Sequence, residues 1–321
     1  MELTVYLEVQ SRCNAKCPMC LSWQNSESLA PDVVVRALDS LAANGWRHVI
    51  FTGGEFVIHP SAMALTDAAV QRCLDISFIT NGSFFSLDKS FLQNISRLRS
   101  VVYSRDFADG HRHAESRSLP NLDDTIVAAM HYLSRRNVDI QLNTVMMPDH
   151  LQEIQMIPTT PFWRFVDSWH IIPVKGSFAY AWTEEKRREA VERLLEAEQR
   201  AHDDGVYFTG PLSSGFCSES IANVALGLYT TGYWTDRACL ARESLLFIDS
   251  FGSVLPCNCS LWDARDAVEY GKLGTSSMER ILLTRRKALD SHERGISFAC
   301  RACDPLNVAR HLEALADRRQ A

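Results

Sequence analysis

The sequence predicts an α/β protein, with a parallel sheet of repeated β/α units over residues 1–205 and a smaller unit of different character over residues 206–321. Three observations predict it. Short apolar, strand-like runs alternate with longer helix-like stretches as far as His202. Gly, Pro and Asn mark the changes between them. From about Val206 the alternation stops, and a hairpin pattern with clustered cysteines takes over.

Leu3–Val9 alternates apolar and polar residues as a strand does. Pro31–Asn44 reads as a helix, with Pro31 in its first turn and Gly45 just past its end. His48–Thr52 is a buried-type strand that runs into Gly53-Gly54-Glu55. Ser61–Cys73 is helical, Ile76–Ile79 a strand, and Thr80-Asn81-Gly82 a turn. Ser90–Ile95 reads as a helix and Ser100–Tyr103 as a strand. Asp123–Arg136 is a helix with Asn121 as its cap, Val138–Val145 a strand and His150–Met156 a short helix. Ser168–Ile172 is the sixth strand, and Thr183–His202 is a long helix whose many charges form a solvated face. Ser244–Asp249 and Ser253–Cys257, joined around Phe251-Gly252, read as a hairpin. Helices follow around Ser277–Leu289 and Pro305–Ala316. Six β/α units in series imply a parallel sheet with ligands at the carboxyl ends of its strands. Periodicity leaves open whether that sheet is flat, a partial barrel or a closed one.

Bulk properties exclude several classes. The 321 residues carry a net charge of −6, which disfavours nucleic acid as the main partner. No apolar run is long enough to span a bilayer, and the N-terminus lacks the basic start of a signal peptide, so a cytoplasmic location is expected. The ten cysteines then point to metal or redox chemistry rather than disulfides. Cys73 stands alone and reads as a small buried hydrophobe.

Cys13-x3-Cys17-x2-Cys20 follows the first strand. Three thiolates on one loop can hold three irons of a [4Fe–4S] cluster and leave the fourth open. Structural zinc takes four ligands, which this loop alone does not supply. The second group is Cys239, Cys257 after Gly252, Cys300 and Cys303. In isolation these four favour a zinc ribbon.

On these motifs the chain resembles the radical S-adenosylmethionine (radical SAM) superfamily. The family's CxxxCxxC stands here as Cys-Asn-Ala-Lys-Cys-Pro-Met-Cys, with Met19 where an aromatic is common. Its Gly-Gly-Glu turn after the second strand is Gly53-Gly54-Glu55, and Thr80-Asn81-Gly82 ends the third strand as in many relatives. The resemblance implies a partial (β/α)6 TIM-like barrel. It implies that Cys13, Cys17 and Cys20 hold a [4Fe–4S] cluster and that Gly53, Gly54 and Glu55 bind the amino group of SAM. Ser104 and Arg117, in the place of the family's S-x-D-G…R segment, and Asn143 on strand five become candidates for the SAM carboxylate or ribose. The implied chemistry is reductive cleavage of SAM to a 5′-deoxyadenosyl radical that takes hydrogen from an unactivated C–H bond.

Downstream, Cys239, Cys257, Cys300 and Cys303 resemble the twitch domain, a short α+β form of the SPASM domain, which implies a second, auxiliary [4Fe–4S] cluster. Cys259 is left over, two residues after Cys257, and Cys217 lies in the linker before it. Either thiol is a candidate hydrogen donor to a substrate radical. His111, His113, His170 and Lys175 are weaker pocket candidates.

The twitch branch suggests a sugar or aminocyclitol substrate in natural-product biosynthesis, with a flavodoxin or ferredoxin type electron donor. The leading expectation is epimerisation at a carbinol carbon. Two-electron oxidation to a ketone, with the auxiliary cluster as acceptor, is the alternative. Peptide modification is the third reading, lowered by a cluster loop that begins at residue 13 and leaves no room for an N-terminal peptide-recognition domain.

Overall fold

The structure, a computed structural model, describes residues 2–20, 22–83, 95–174, 182–210, 241–257 and 269–290. Most of the helix expected at Ser90–Ile95, the helix expected at Pro305–Ala316, and Lys175, Cys217, Cys239, Cys259, Cys300 and Cys303 lie outside these residues.

Seven strands run parallel in chain order: β1 Thr4–Gln10, β2 His48–Gly53, β3 Asp75–Thr80, β4 Leu98–Ser104, β5 Asp139–Met146, β6 Ser168–Pro173 and β7 Tyr207–Thr209. The chain then crosses to the free edge of β1, where β8 Leu245–Ile248 pairs parallel to it. Strands β9 Ser253–Leu255 and β10 Gly271–Lys272 add on antiparallel. The order is β10-β9-β8-β1-β2-β3-β4-β5-β6-β7, and no pairing among the described residues joins β7 to β10. This is the open sheet of a partial TIM-like barrel rather than a closed one. The alternation runs one strand further than the sequence suggests, because β7 has three residues and no long apolar run. The expected hairpin is present, and it extends the core sheet instead of forming a sheet of its own.

Helices α1 Pro31–Ala43, α2 Ala62–Gln71, α3 Gly110–Arg117, α4 Leu122–Ser134, α5 Gln152–Met156, α6 Glu184–Asp203, α7 Ala241–Ser244 and α8 Met278–Asp290 lie between and after the strands. None of the described helices is long and apolar enough to cross a membrane. In α1 the buried residues Val34, Ala37, Leu38 and Leu41 form one stripe, and Pro31 starts the helix without a missing hydrogen bond. Gly45, at φ +86, ends it: Gly45 N donates to Ala42 O and Trp46 N to Leu41 O. α2 closes in the same way with Cys73 in glycine's place, at φ 58. Cys73 is therefore exposed, not buried, because the position is chosen for backbone reversal. Thr183 caps α6 and accepts from Lys186 N at 3.3 Å, while Ala190, Leu194, Ala197 and Ala201 bury one stripe of an otherwise charged helix. Asn121 precedes α4 but takes a left-handed conformation, and its side chain makes no cap.

The two faces of the sheet differ. Val5, Leu7, Val49, Phe51, Phe78, Tyr103 and Leu142 pack with the helices into the main core. On the other face Tyr6, Ile50, Leu245, Phe247 and Leu255 form a small separate cluster. Nearer the carboxyl ends that inner face turns polar. Glu8 lies opposite Thr52, and Ser104, Asn143, His170 and Thr209 stand in one register row. His170 is held there by Thr209 and Ser168.

The phenol of Tyr103 is fully buried in the main core and has no hydrogen-bond partner among the described residues. Burial alone pushes its pKa up. Tyr103→Phe is expected to stabilise the fold by about 1 kcal/mol, since an unpaired buried hydroxyl is removed without a cavity. A rise in Tm is the readout, and a fall of similar size would show that the hydroxyl has a partner.

Candidate active site

The cysteine loop leaves β1 at its carboxyl end, beside the turns that leave β2, β3 and β4. Cys17 is buried, while Cys13 and Cys20 are half-buried. Cys20 N donates to Cys17 O at 3.1 Å, and the Trp23 indole donates to the same carbonyl at 3.2 Å. Lys16 N donates to Arg117 O at 3.0 Å, which ties the loop to the end of α3. Two sulfurs receive side-chain donors from outside the loop: Asn81 Nδ2 lies 3.7 Å from Cys13 Sγ, and Arg117 Nη1 lies 3.5 Å from Cys17 Sγ. As thiols both are poor acids. Burial pushes Cys13 up to about 11, and it raises Cys17 against the pull of Arg117. Metal ligation would reverse this, because a coordinated thiol is deprotonated outright. Among the described residues no three His, Cys, Asp or Glu side chains are gathered closely enough for a metal ion. A cluster of four irons spreads its thiolates further apart than one ion does.

Gly53-Gly54-Glu55 is stitched to the same loop. Gly54 N donates to Gln10 O at 2.9 Å, Glu55 N to Arg12 O at 3.0 Å, and Gln10 Nε2 to Glu55 O at 2.7 Å. The β1–β2 register slips between Glu8 and Gln10 to allow this. A Cβ on Gly53, at φ +122, would meet Gln10 O at 2.3 Å, and one on Gly54 would meet the Ser11 and Arg12 carbonyl oxygens at 2.2 Å. Both glycines are thus required by the approach of two backbones.

Glu55 is fully buried. Its carboxylate accepts from Thr80 Oγ1 at 3.0 Å and from Asn81 N at 2.8 Å, so it holds the third turn against the second. Burial pushes its pKa up to about 7, although hydrogen bonds from Asn81, Thr80 and Val57 and the charge of Arg117 oppose this. Ser104 and Asn143 lie half-buried and opposite each other at the carboxyl ends of β4 and β5. Arg117 is buried and ion-paired with Asp106 at 2.5 Å. His113 lies inside the same knot, where burial and the charges of Arg117 and Arg105 hold its pKa well below the usual range. His111 is exposed. Cys257 is half-buried just past β9.

Three residues of this site were not singled out in the sequence. Asn81 looks by sequence like an ordinary turn residue, and its amide reaches the cysteine loop. Asp106 partners Arg117 across a segment with no apolar periodicity. Glu8 is a half-buried carboxyl in an apolar strand, accepting from Ser250 Oγ at 3.2 Å and pushed up to about 7 by desolvation. A charge at an inward strand position was the available signal for Glu8.

A parallel sheet with thiols on the first loop and a double glycine against that loop defines a site for a cluster and a ligand beside it. Residues 7–157 match the Radical SAM superfamily. That stretch, just under half of the chain, therefore reads as a radical SAM domain, a family whose members use a [4Fe–4S] cluster and SAM. Among curated proteins it is 21% identical over 270 residues to the AdoMet-dependent heme synthase of Methanosarcina barkeri, covering 78% of this chain and 75% of that one. It is 27% identical over 105 residues to the subtilosin biosynthesis protein AlbA of Bacillus subtilis, covering 32% of this chain and 23% of AlbA. In fold it is similar to Streptococcus suis SuiB bound to S-adenosylmethionine, with a TM-score of 0.61 at 17% identity over 84% of this chain. The chain spans 63% of SuiB's length. It is also similar to anSMEcpe with bound AdoMet, with a TM-score of 0.62 at 16% identity over 89% of this chain and 82% of that one.

Proposed function

We propose that the chain takes a hydrogen atom from a carbinol carbon of a sugar or aminocyclitol-like molecule and returns one to the opposite face, an epimerisation. Cys13, Cys17 and Cys20 would hold the [4Fe–4S] cluster, and the Gly53–Glu55 turn would seat SAM, with Ser104, Asn143 and Arg117 nearby. Together these groups supply a 5′-deoxyadenosyl radical when bound. The observation that carries the reading is the polar inner face below the loop. Glu8, Thr52 and Asn143 offer hydrogen bonds to a hydroxyl-rich substrate where an apolar one would strand them.

The place of Cys257 supports an auxiliary cluster with Cys239, Cys300 and Cys303. Leu255 pairs with Phe247, which pairs with Tyr6, so β9 carries Cys257 back towards the amino ends of the parallel strands. The polar part of the inner face, nearest the carboxyl ends of the strands, would take the substrate, with Cys259 or Cys217 as hydrogen donor. A flavodoxin or ferredoxin type protein in the cytoplasm would supply the electron.

The test is anaerobic turnover in D2O with SAM, a strong reductant and a panel of aminoglycosides and 2-deoxy-scyllo-inosamine. Epimerisation is expected to give 5′-deoxyadenosine and an isomer carrying one solvent deuterium, and Cys259→Ala to abolish the isomer. A product lighter by two hydrogens would replace the reading with alcohol oxidation. A second reading, peptide modification, is favoured by the identity to AlbA, a bacteriocin biosynthesis protein. Turnover of a peptide but of none of the sugars would establish it instead.

A further inference from the structure

Arg117 is the only described side chain outside the cysteine loop that brings a full positive charge onto one of the three thiols. Its guanidinium spans two partners, with Nη1 3.5 Å from Cys17 Sγ and Nη2 2.5 Å from Asp106 Oδ2. Asp106 is fixed in turn, since its Oδ1 accepts from Val145 N at 2.9 Å. Both members of the ion pair are buried, Arg117 at 6% and Asp106 at 3% exposure. The backbone of Arg117 also accepts from Lys16 N, one residue before Cys17. The arrangement runs from β5 through Asp106 and Arg117 to Cys17.

We propose that Arg117, held by Asp106, sets the reduction potential of the cluster at Cys13, Cys17 and Cys20, as a positioning residue acting through the Cys17 sulfur. The proposal rests on the reading of those cysteines as cluster ligands. Net charge and hydrogen bonds to the sulfurs are among the determinants of iron–sulfur potentials. Reduction adds a negative charge to the cluster, so a fixed cation at Cys17 favours the reduced state. The field acts in a buried site where water screens it little. Asp106 offsets part of that charge and stops the guanidinium from swinging away. Removing the two partners must therefore move the potential in opposite directions. A purely structural role would loosen the loop the same way in both variants.

The test is an EPR-monitored redox titration of the full-length protein without SAM, following the signal that disappears in the Cys13/Cys17/Cys20→Ala variant. Omitting SAM keeps any change in SAM binding out of the result. Arg117→Gln is expected to shift the midpoint to more negative values and Asp106→Asn to more positive ones. Arg117→Lys keeps the charge but not the fork, and its midpoint is expected between wild type and Arg117→Gln. Should either neutral variant fail to load iron, Arg117→Lys carries the test. Equal midpoints in wild type and Arg117→Lys, or shifts of the same sign in the two neutral variants, overturn the proposal. Iron content separates this from failure of the underlying reading. Wild-type protein whose iron is unaffected by the triple cysteine change would sink both, while loaded protein with unmoved potentials sinks this one alone.

Discussion

Replacing Cys13, Cys17 and Cys20 together with alanine is expected to remove about four irons per chain and all reductive cleavage of SAM. The three thiols share one loop, and that loop is pinned at Lys16, Cys17 and Cys20 by backbone and indole hydrogen bonds that do not use the sulfurs. The fold around the loop should therefore survive. Loss of activity would then report loss of the cluster rather than collapse of the sheet. Iron and sulfide analysis beside far-UV circular dichroism makes the distinction. If the second group of cysteines holds a cluster of its own, iron should fall from about eight to about four, and a further Cys257→Ala change should deplete the remainder. Full iron retention in the triple variant would show that the metal is held elsewhere.

The second large effect is expected from Gly54→Ala. One methyl group is added 2.2 Å from two carbonyl oxygens of the cysteine loop. Neither backbone can retreat alone, because Gly54 N, Glu55 N and Gln10 Nε2 hold them together. Relief must separate the turn from the loop. A loss of about 3 kcal/mol is expected from overpacking against backbone, together with the loss of SAM binding. Thermal unfolding and equilibrium dialysis with labelled SAM read the two effects. Ala at this position with an unchanged Tm and unchanged SAM binding would mean that the close approach is not required.

Much of this was legible in the sequence because the signals were local. Pro31, Gly45 and the apolar spacing of α1 located that helix at both ends, and the first six strands were visible as short apolar runs. The CxxxCxxC spacing and the double glycine located the site for the same reason, since each is a contiguous device whose residues act through their neighbours in the chain. What stayed hidden depends on pairing across distance. β7 is too short to show a period. α3 is almost wholly polar, and its visible cue was Asp109, whose side chain caps it by accepting from Arg112 N at 2.8 Å. The join of the hairpin to β1 leaves no trace in the residues of either strand, which look alike at any edge. The tie from Asn81 to Cys13 crosses between loops, and its partner could not be named without the sheet order, while that from Asp106 to Arg117 depends on how the connection from β4 folds back onto the end of α3.

That sheet order bears on how the chain is made. Thr4 pairs with His48 on one side and with Leu245 on the other. Strand β1 keeps one edge bare until β8, which begins at Leu245, has been made, on the order of 10–50 s later at typical synthesis rates. During that interval the bare edge lies directly below the thiols that must receive iron, and unpaired edges are templates for wrong partners. Cluster insertion and closure of the β1–β8 seam therefore compete in time with misassembly. A chain cut before residue 245 would be left with that edge permanently open.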